Sequence, residues 1–275
     1  MDVQFGYFLA PDADDPRALL STAKLLDELG FDLIGIQDHP YQRRFLDTWT
    51  LISYLAAHTQ RIRFFPDVAS LPLRPPAILA KSAASLDVLT GGRVELGLGA
   101  GAFWDAIEGM GAERRSPGKA LQALRESIDI LRLMWSDERS VSYDGDIYRL
   151  RGIHPGPAPA HDIGIWLGVT GPRALRLLGS HADGWVPSMS FVPPDKLPEM
   201  HGRIDDAAVS AGRDPSTIRR IYNVWGEFDH DEWIDLLAGL AADQRMDTFI
   251  FGGPGDEATL RGFAEDIVPR VREVV

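Results

Sequence analysis

A carboxyl and an imidazole stand side by side at Asp38-His39, directly before Pro40, where the apolar run from Leu33 to Gln37 gives out. Imidazole gains and loses a proton near neutral pH, so it can serve a reaction as acid or base. An adjacent carboxylate can fix its tautomer or hold a bound ring, and the proline stiffens the exit. Further along, Gly97-Leu98-Gly99-Ala100-Gly101 leaves backbone bare of side chains, which lets a flat ligand come close. Thr170-Gly171-Pro172-Arg173 opens a helix-like segment whose free N–H groups would face an anion, with Arg173 in its first turn. Phe8, Trp104 and Trp225 can line an apolar pocket. The chemistry these types suit is proton transfer beside a flat, partly anionic cofactor.

Each feature has a plainer alternative. The glycines can serve close packing, and Gly171 can be a simple connector. Trp49 and Trp135 lie in helical patterns and read as core; Arg43 and Arg44 read as a solvated edge. His58, His154, His161, His181, His201 and His230 show no spacing that binds a metal. The first strand, FGYFLAP, lacks the His-X-His of a barrel metal hydrolase, which sets metal catalysis aside.

These residues need elements to position them, and the chain supplies an alternation. Strand-like runs at 5–10, 33–38, 62–68, 94–101, 164–170, 183–189, 218–228 and 247–253 are each followed by a helix-like segment. Pro16 and Gly30 bracket one helix, and Pro76 with Gly91-Gly92 another. Strands alternating with helices imply a parallel sheet, and this many units imply a closed (β/α)8 barrel. A doubly wound open sheet carries a Gly-rich turn after its first strand, whereas here that strand exits into APDADDP. Residues 136–163 interrupt the alternation with a hairpin pattern around Asp144-Gly145 and a Pro/Gly-rich run, an insertion on a single domain spanning 1–275. On such a barrel, catalytic groups gather at the C-terminal ends of the strands, which is where the candidates fall.

Composition narrows the partners. A formal charge of -12 argues against nucleic acid, and the absence of cysteine removes thiolate chemistry and disulfides. No apolar run reaches the roughly 18 residues of a membrane span. The N-terminus lacks a basic region followed by a long apolar one, so the cytoplasm is expected.

Four stretches, in order, carry a family resemblance: ELGFDLIGIQDHP; LPLRPPAILAKSAASLDVLTGGRVELGLGAGAFWD; ALRESIDILRLMW with YDGDIYRL; and GIWLGVTGPRALRLLGSHADGWVPS. The chain resembles the luciferase-like monooxygenase superfamily, which includes FMN-dependent monooxygenases and oxidoreductases using the deazaflavin coenzyme F-420. The resemblance implies a ring lying against the ends of strands two to four, near Gly99, Ala100 and Gly101. Asp38-His39 looks like the pair that F-420-dependent members carry; many FMN members have Glu-His instead. His39 and Asp38, with Trp104 beside the ring, are then the expected catalytic residues. Asp67, Val68 and Ala69 fall where relatives have a non-proline cis peptide that buttresses the ring. Thr170, Gly171, Pro172 and Arg173 resemble the phosphate-binding turn. The implied activity is hydride transfer between F-420 and a small organic substrate. The rivals are an FMN-dependent monooxygenase and a flavin-binding barrel without catalysis. A separate flavin or F-420 reductase and a homodimer pairing through helices two and three are the implied partners. The segment after the seventh strand is short compared with longer relatives, so an open mouth is expected.

Overall fold

Only a helix-length crossover brings a strand back parallel to its predecessor, so the alternation dictates the architecture. The computed structural model describes residues 3–275. In order, β1 (Gln4–Leu9) leads to α1 (Pro16–Leu29), and β2 (Leu33–Ile36) to α2 (Thr48–Ala56). β3 (Arg63–Pro66) and β4 (Ala69–Ser70) precede α3 (Pro76–Thr90). β5 (Leu96–Gly99) precedes α4 (Trp104–Gly109) and α5 (Pro117–Met134). A hairpin of β6 (Val141–Asp144) and β7 (Arg149–Ile153) comes before β8 (Ile165–Leu167) and α6 (Pro172–His181). β9 (Gly184–Trp185), α7 (Leu197–Ser210), β10 (Arg219–Trp225), α8 (His230–Gln244), β11 (Thr248–Gly252), α9 (Glu257–Gly262) and α10 (Val268–Val274) follow. Helix ends obey the sequence punctuation. Asp15 caps α1 by accepting from the N–H groups of Arg17 and Ala18, and Gly30 and Gly91 end α1 and α3 in the left-handed region.

The sheet order is β3-β2-β1-β11-β10-β9-β8-β5-β4, with parallel pairing throughout. Its two end segments are halves of one strand, so nine segments make eight barrel strands and the sheet closes on itself. A bridge between Phe64 and Val94 seals the join. Leu33, Phe65, Trp166, Val186, Ile221 and Ile250 fill the axis, so the barrel is packed rather than hollow. Burying each such side chain contributes roughly 1.5–3 kcal/mol.

The structure departs locally from the expected elements at three places. The third strand breaks at Asp67-Val68, where the peptide bond is cis, and resumes as β4. The short α4 starts at Trp104 inside what reads as a strand exit. The last helix is interrupted by a wide turn at Phe263–Ile267, which separates α9 from α10.

The insertion is fastened at the N-terminal ends of the strands. Asp87, fully buried at the end of α3, accepts from the N–H groups of Val94, Ala160 and His161 and meets His161 Nδ1 at 2.9 Å. His161 Nε2 stands 3.5 Å from Glu95, an ion-pair distance rather than a hydrogen bond, and Glu95 pairs with Arg63 at 2.9 Å. The hairpin turn is held by Glu126, whose carboxylate accepts from the N–H groups of Asp146, Ile147 and Tyr148. Glu95 and Asp87, acting against partial burial, raise His161 to about 9. A raised folded value stabilises the protein most below the ordinary histidine range and loses that contribution as pH rises through about 9. His161→Gln should therefore cost about 1–2 kcal/mol near pH 6 and much less near pH 10 in denaturant unfolding. Equal costs at both ends would remove this role.

Candidate active site

β2 is apolar through Ile36, and the first polar side chains after it turn to different partners. Asp38 is 1% exposed. Its Oδ2 accepts from Ser70 N at 2.9 Å and Arg74 Nε at 2.7 Å, and its Oδ1 accepts from Arg74 Nη2 at 2.6 Å. Arg74 Nη2 also donates to Asp47 Oδ2 at 2.7 Å, and Asp47 caps α2 by accepting from Thr50 N. Burial works against the Arg74 charge, but Asp38 and Asp47 more than offset it and hold the guanidinium above its ordinary value. Asp47 sits below the ordinary carboxylate range because Arg74 and Thr50 outweigh its burial. Arg74 thus ties the segment after β2 to the start of α2, and Asp38 itself ties in the end of β4 through Ser70. The expectation that Asp38 fixes the His39 tautomer is corrected: both carboxylate oxygens are committed to Arg74 and Ser70.

His39 is oriented from elsewhere. The Gln37 side-chain amide lies 2.9 Å from His39 Nδ1 and holds the ring by that nitrogen, which leaves Nε2 for proton exchange. Gln37 is itself held by Thr48, whose hydroxyl donates to its carbonyl at 2.7 Å. The imidazole stacks on Tyr41 with centroids 5.2 Å apart and takes Phe103 edge-on at 5.2 Å. Burial lowers His39 below the ordinary histidine value, and the nearby Asp38 charge only partly opposes this. Tyr41 is pushed up to about 12 by burial and then by Asp38. The imidazole is neutral at neutral pH, in an aromatic setting.

The strand break shapes the neighbouring wall. After the cis bond Val68 projects toward Gly97 and Gly99 of β5 and Gly168 just past β8. A Cβ at Gly97, Gly99 or Gly168 would lie 3.1, 2.8 and 2.9 Å from its methyl groups, and one at Gly97 would also lie 2.2 Å from Pro66 O. The bare backbone at Gly97 and Gly99 is therefore occupied by Val68, a correction to its reading as a surface for a ligand. Ala69 is also corrected: it is fully buried in the core between sheet and helices, pairing with Leu98 through β4. Asp67 turns into the barrel, where its Oδ1 accepts from Asn223 Nδ2 at 3.2 Å. Burial raises this carboxyl to about 7, with the Asn223 bond opposing.

The remaining expected residues come together in a cleft of about 400 Å³ lined by Ala100, Gly101, Trp104, Gly171, Pro172, Arg173 and Ala174. Its other wall is α5, through Pro117, Ala120, Leu121 and Leu124. Gly171 is the N-cap of α6 and offers no side chain to its first N–H groups, which leaves them for a ligand. Thr170 is exposed directly before this turn and does not line the cleft. Gly101 has φ +98°, and a Cβ there would meet Pro72 at 2.7 Å and the Trp104 ring at 3.2 Å. Trp104 thus belongs to the cleft, while its neighbour Phe103 meets His39; adjacent residues join the two halves of the site. The apolar cleft reaches the uncapped start of α6, and the half-buried His39 adjoins the same short α4 through Phe103. Sequence reasoning missed Arg74, Phe103, Tyr41, Gln37 and Asn223. Arg74 carried a signal, since a lone cation amid LPLRPP needs a carboxylate, and Asp38 was available. Arg44, in contrast, pairs with Asp12 and Asp14 on the surface, as a solvated edge does.

A closed parallel barrel with a neutral histidine and an apolar, helix-tipped cleft at the strands' C-terminal ends is the frame of an oxidoreductase working with a flat cofactor. The family model described as luciferase-like monooxygenase matches residues 3–225, and the chain belongs to that family. It is 34% identical over 254 residues to a 5,10-methylenetetrahydromethanopterin reductase of Methanolobus tindarius, covering 92% of this chain and 72% of the relative. It is 28% identical over 265 residues to an F-420-dependent glucose-6-phosphate dehydrogenase of Microbacterium testaceum, covering 89% and 76%. A solved F-420-dependent secondary alcohol dehydrogenase, in complex with an F-420–acetone adduct, superposes with a TM-score of 0.84 at 20% identity, covering 99% of this chain and 100% of that one. The chain is a luciferase-like, flavin- or deazaflavin-dependent oxidoreductase.

Arg74→Met should destabilise the protein by about 3–5 kcal/mol, because it strands the Asp38 charge in the interior. Adding Asp38→Leu should recover much of that loss in urea unfolding. Strictly additive costs would show that the pair does not hold the mouth.

Proposed function

We propose that this chain catalyses hydride transfer between coenzyme F-420 and a small organic substrate, with His39 as the proton-exchanging residue. The observation that carries this is His39 itself: a neutral imidazole, oriented by Gln37, set among aromatic rings where the strand ends open. When bound, the deazaflavin ring supplies the carbon that accepts or gives up the hydride. His39 takes or returns the proton that the substrate's hydroxyl or equivalent group exchanges, and burial keeps it in the form that can accept one. The first turn of α6 and Arg173 would hold an anionic tail, and Ala100, Gly101 and Trp104 the middle of the molecule. Val68 would back the ring. Asp38 acts through Arg74 as a positioning residue.

Asp before His, rather than Glu, supports F-420 over FMN, as do the F-420-dependent relatives. The mouth also supports hydride transfer over oxygen chemistry. Only residues 226–229 separate β10 from α8, and Phe228 and Phe103 are exposed. A reduced-flavin oxygen adduct needs water kept out, which a short cover does poorly. The reading includes cytoplasmic location, a reductase that resets the coenzyme, and a homodimer. A depression between α2 and α3 bordered by Trp49, Leu86 and the exposed Leu89 supports the pairing. Among the described residues no helix is long and apolar enough to cross a membrane.

Turnover of oxidised F-420 with alcohols and sugar phosphates, and of reduced F-420 with unsaturated acceptors, tests the reading. His39→Ala should lower kcat by roughly 10²–10⁴-fold with F-420 affinity little changed. The acid limb of the wild-type pH profile should fall below the ordinary histidine value, following the direction of the His39 shift. Full turnover by His39→Ala with coenzyme bound would end this assignment.

A further inference from the structure

Large apolar side chains lie exposed at the strand exits: Phe103 and Met110 after β5, Phe191 after β9 and Phe228 after β10. Exposed apolar surface gathered at one end of a molecule marks a place where something apolar binds. Two half-buried rings stand at strand ends in the same mouth. Phe8, on β1, rests with Val68 on the side chains that fill the barrel axis, and Trp225, at the end of β10, meets its ring edge-on with centroids 5.3 Å apart. β11 runs between those two strands. Trp225 stands opposite Gly252 in the β10–β11 register, and a Cβ there would overlap the indole. The bare glycine is what lets the ring lie across β11 to reach Phe8.

The loops that leave these three strands carry no cation. Residues 10–15 after β1, 226–229 after β10 and 253–256 after β11 have acids as their only charged groups. Most of those acids are engaged: Asp12 and Asp14 with Arg44, and Asp15, Asp229 and Asp256 as helix caps, which leaves the exposed Glu227. At the other strand exits Arg74 is held by Asp38 and Asp47, Arg114 by Asp105 and Glu108, and Lys196 lies 3.6 Å from Asp195. Arg173 belongs to the lateral cleft, and Arg43 is exposed on the loop after β2. A phosphate set over Phe8 and Trp225 would give up water and meet acids, whereas an uncharged ring gives up little and gains aromatic contact.

We propose that the substrate is an uncharged, ring-bearing alcohol or its ketone, seated on Phe8 and Trp225, and not a sugar phosphate; this rests on the hydride-transfer reading above. The alcohol's hydroxyl proton passes to His39, the hydrogen on its carbinol carbon leaves as a hydride to the coenzyme, and a carbonyl double bond forms in their place. Phe103, which meets both His39 and Tyr41, forms the side of the seat next to the imidazole. Trp225 determines specificity, because its indole supplies the aromatic face at the edge of the seat while Phe8 also packs on the core.

The test is calorimetric titration of acetophenone and of glucose 6-phosphate into the protein, with and without F-420, alongside turnover of 1-phenylethanol and glucose 6-phosphate with oxidised F-420. Acetophenone should bind and 1-phenylethanol should turn over, with glucose 6-phosphate silent in both assays. The wild-type selectivity decides the substrate class without any variant. Trp225→Ala should weaken acetophenone binding and raise KM for 1-phenylethanol by about tenfold, with kcat within a few-fold and F-420 affinity unchanged. Trp225→Phe keeps an aromatic face and should restore most of the loss. Preference for glucose 6-phosphate, or binding of neither compound, would overturn the substrate class while F-420 binding left the coenzyme reading intact. Acetophenone binding that Trp225→Ala leaves unchanged would overturn the seat. Absence of F-420 binding would end the coenzyme reading, and titration of the unloaded protein would still decide the seat.

Discussion

A carboxylate with almost no access to water needs charge or hydrogen bonds to offset its burial, and at Asp38 Arg74 supplies both. Removing an ion from water is expensive, and the bidentate geometry at Asp38 is what offsets it. Because Arg74 also grips Asp47, the pair fixes the relative placement of three segments that meet at the mouth. His39 follows Asp38 in the chain, so its ring position is inherited from that anchor. Acid and imidazole adjoin in sequence but are held differently: one is anchored by Arg74 and Ser70, the other by Gln37 among aromatic rings.

A second constraint is the volume of Val68. Redirecting the chain at Asp67-Val68 sends one branched side chain across β5 and β8, and only glycines leave room for it. The same redirection turns the Asp67 carboxyl inward beside Asn223. The barrel therefore carries an apolar plug at its centre and a polar pair above it. The lateral cleft between α5 and α6 extends the site outward. Function depends on packing here, because the wall that would back a ring is built from a valine and the absence of three methyl groups.

Much of the fold was legible because the alternation of strand and helix is a local signal, punctuated by residues such as Pro16, Gly30, Pro76 and Gly91. Ala100, Gly101, Trp104, Gly171, Pro172 and Arg173 were also legible, since their placement at strand ends follows from the barrel. The structure gathers all six into one cleft. What stayed hidden was tertiary. Asp38 and Arg74 are far apart in the chain, and nothing local announces that the acid turns from its histidine neighbour toward a distant arginine. Gly97 and Gly99 look the same whether a ligand or Val68 fills the space before them. Phe103 and Trp104 could each have faced the histidine, and only the short α4 decides which one does.

The most direct measurement is a competition titration of F-420 against FMN on the purified protein, read through quenching of Trp104 fluorescence with Trp104→Phe as the blank. The account predicts saturable, micromolar quenching by F-420 that excess FMN does not reverse. Preferential, tight binding of FMN would contradict it and make the chain an oxygen-using flavin enzyme of the same fold.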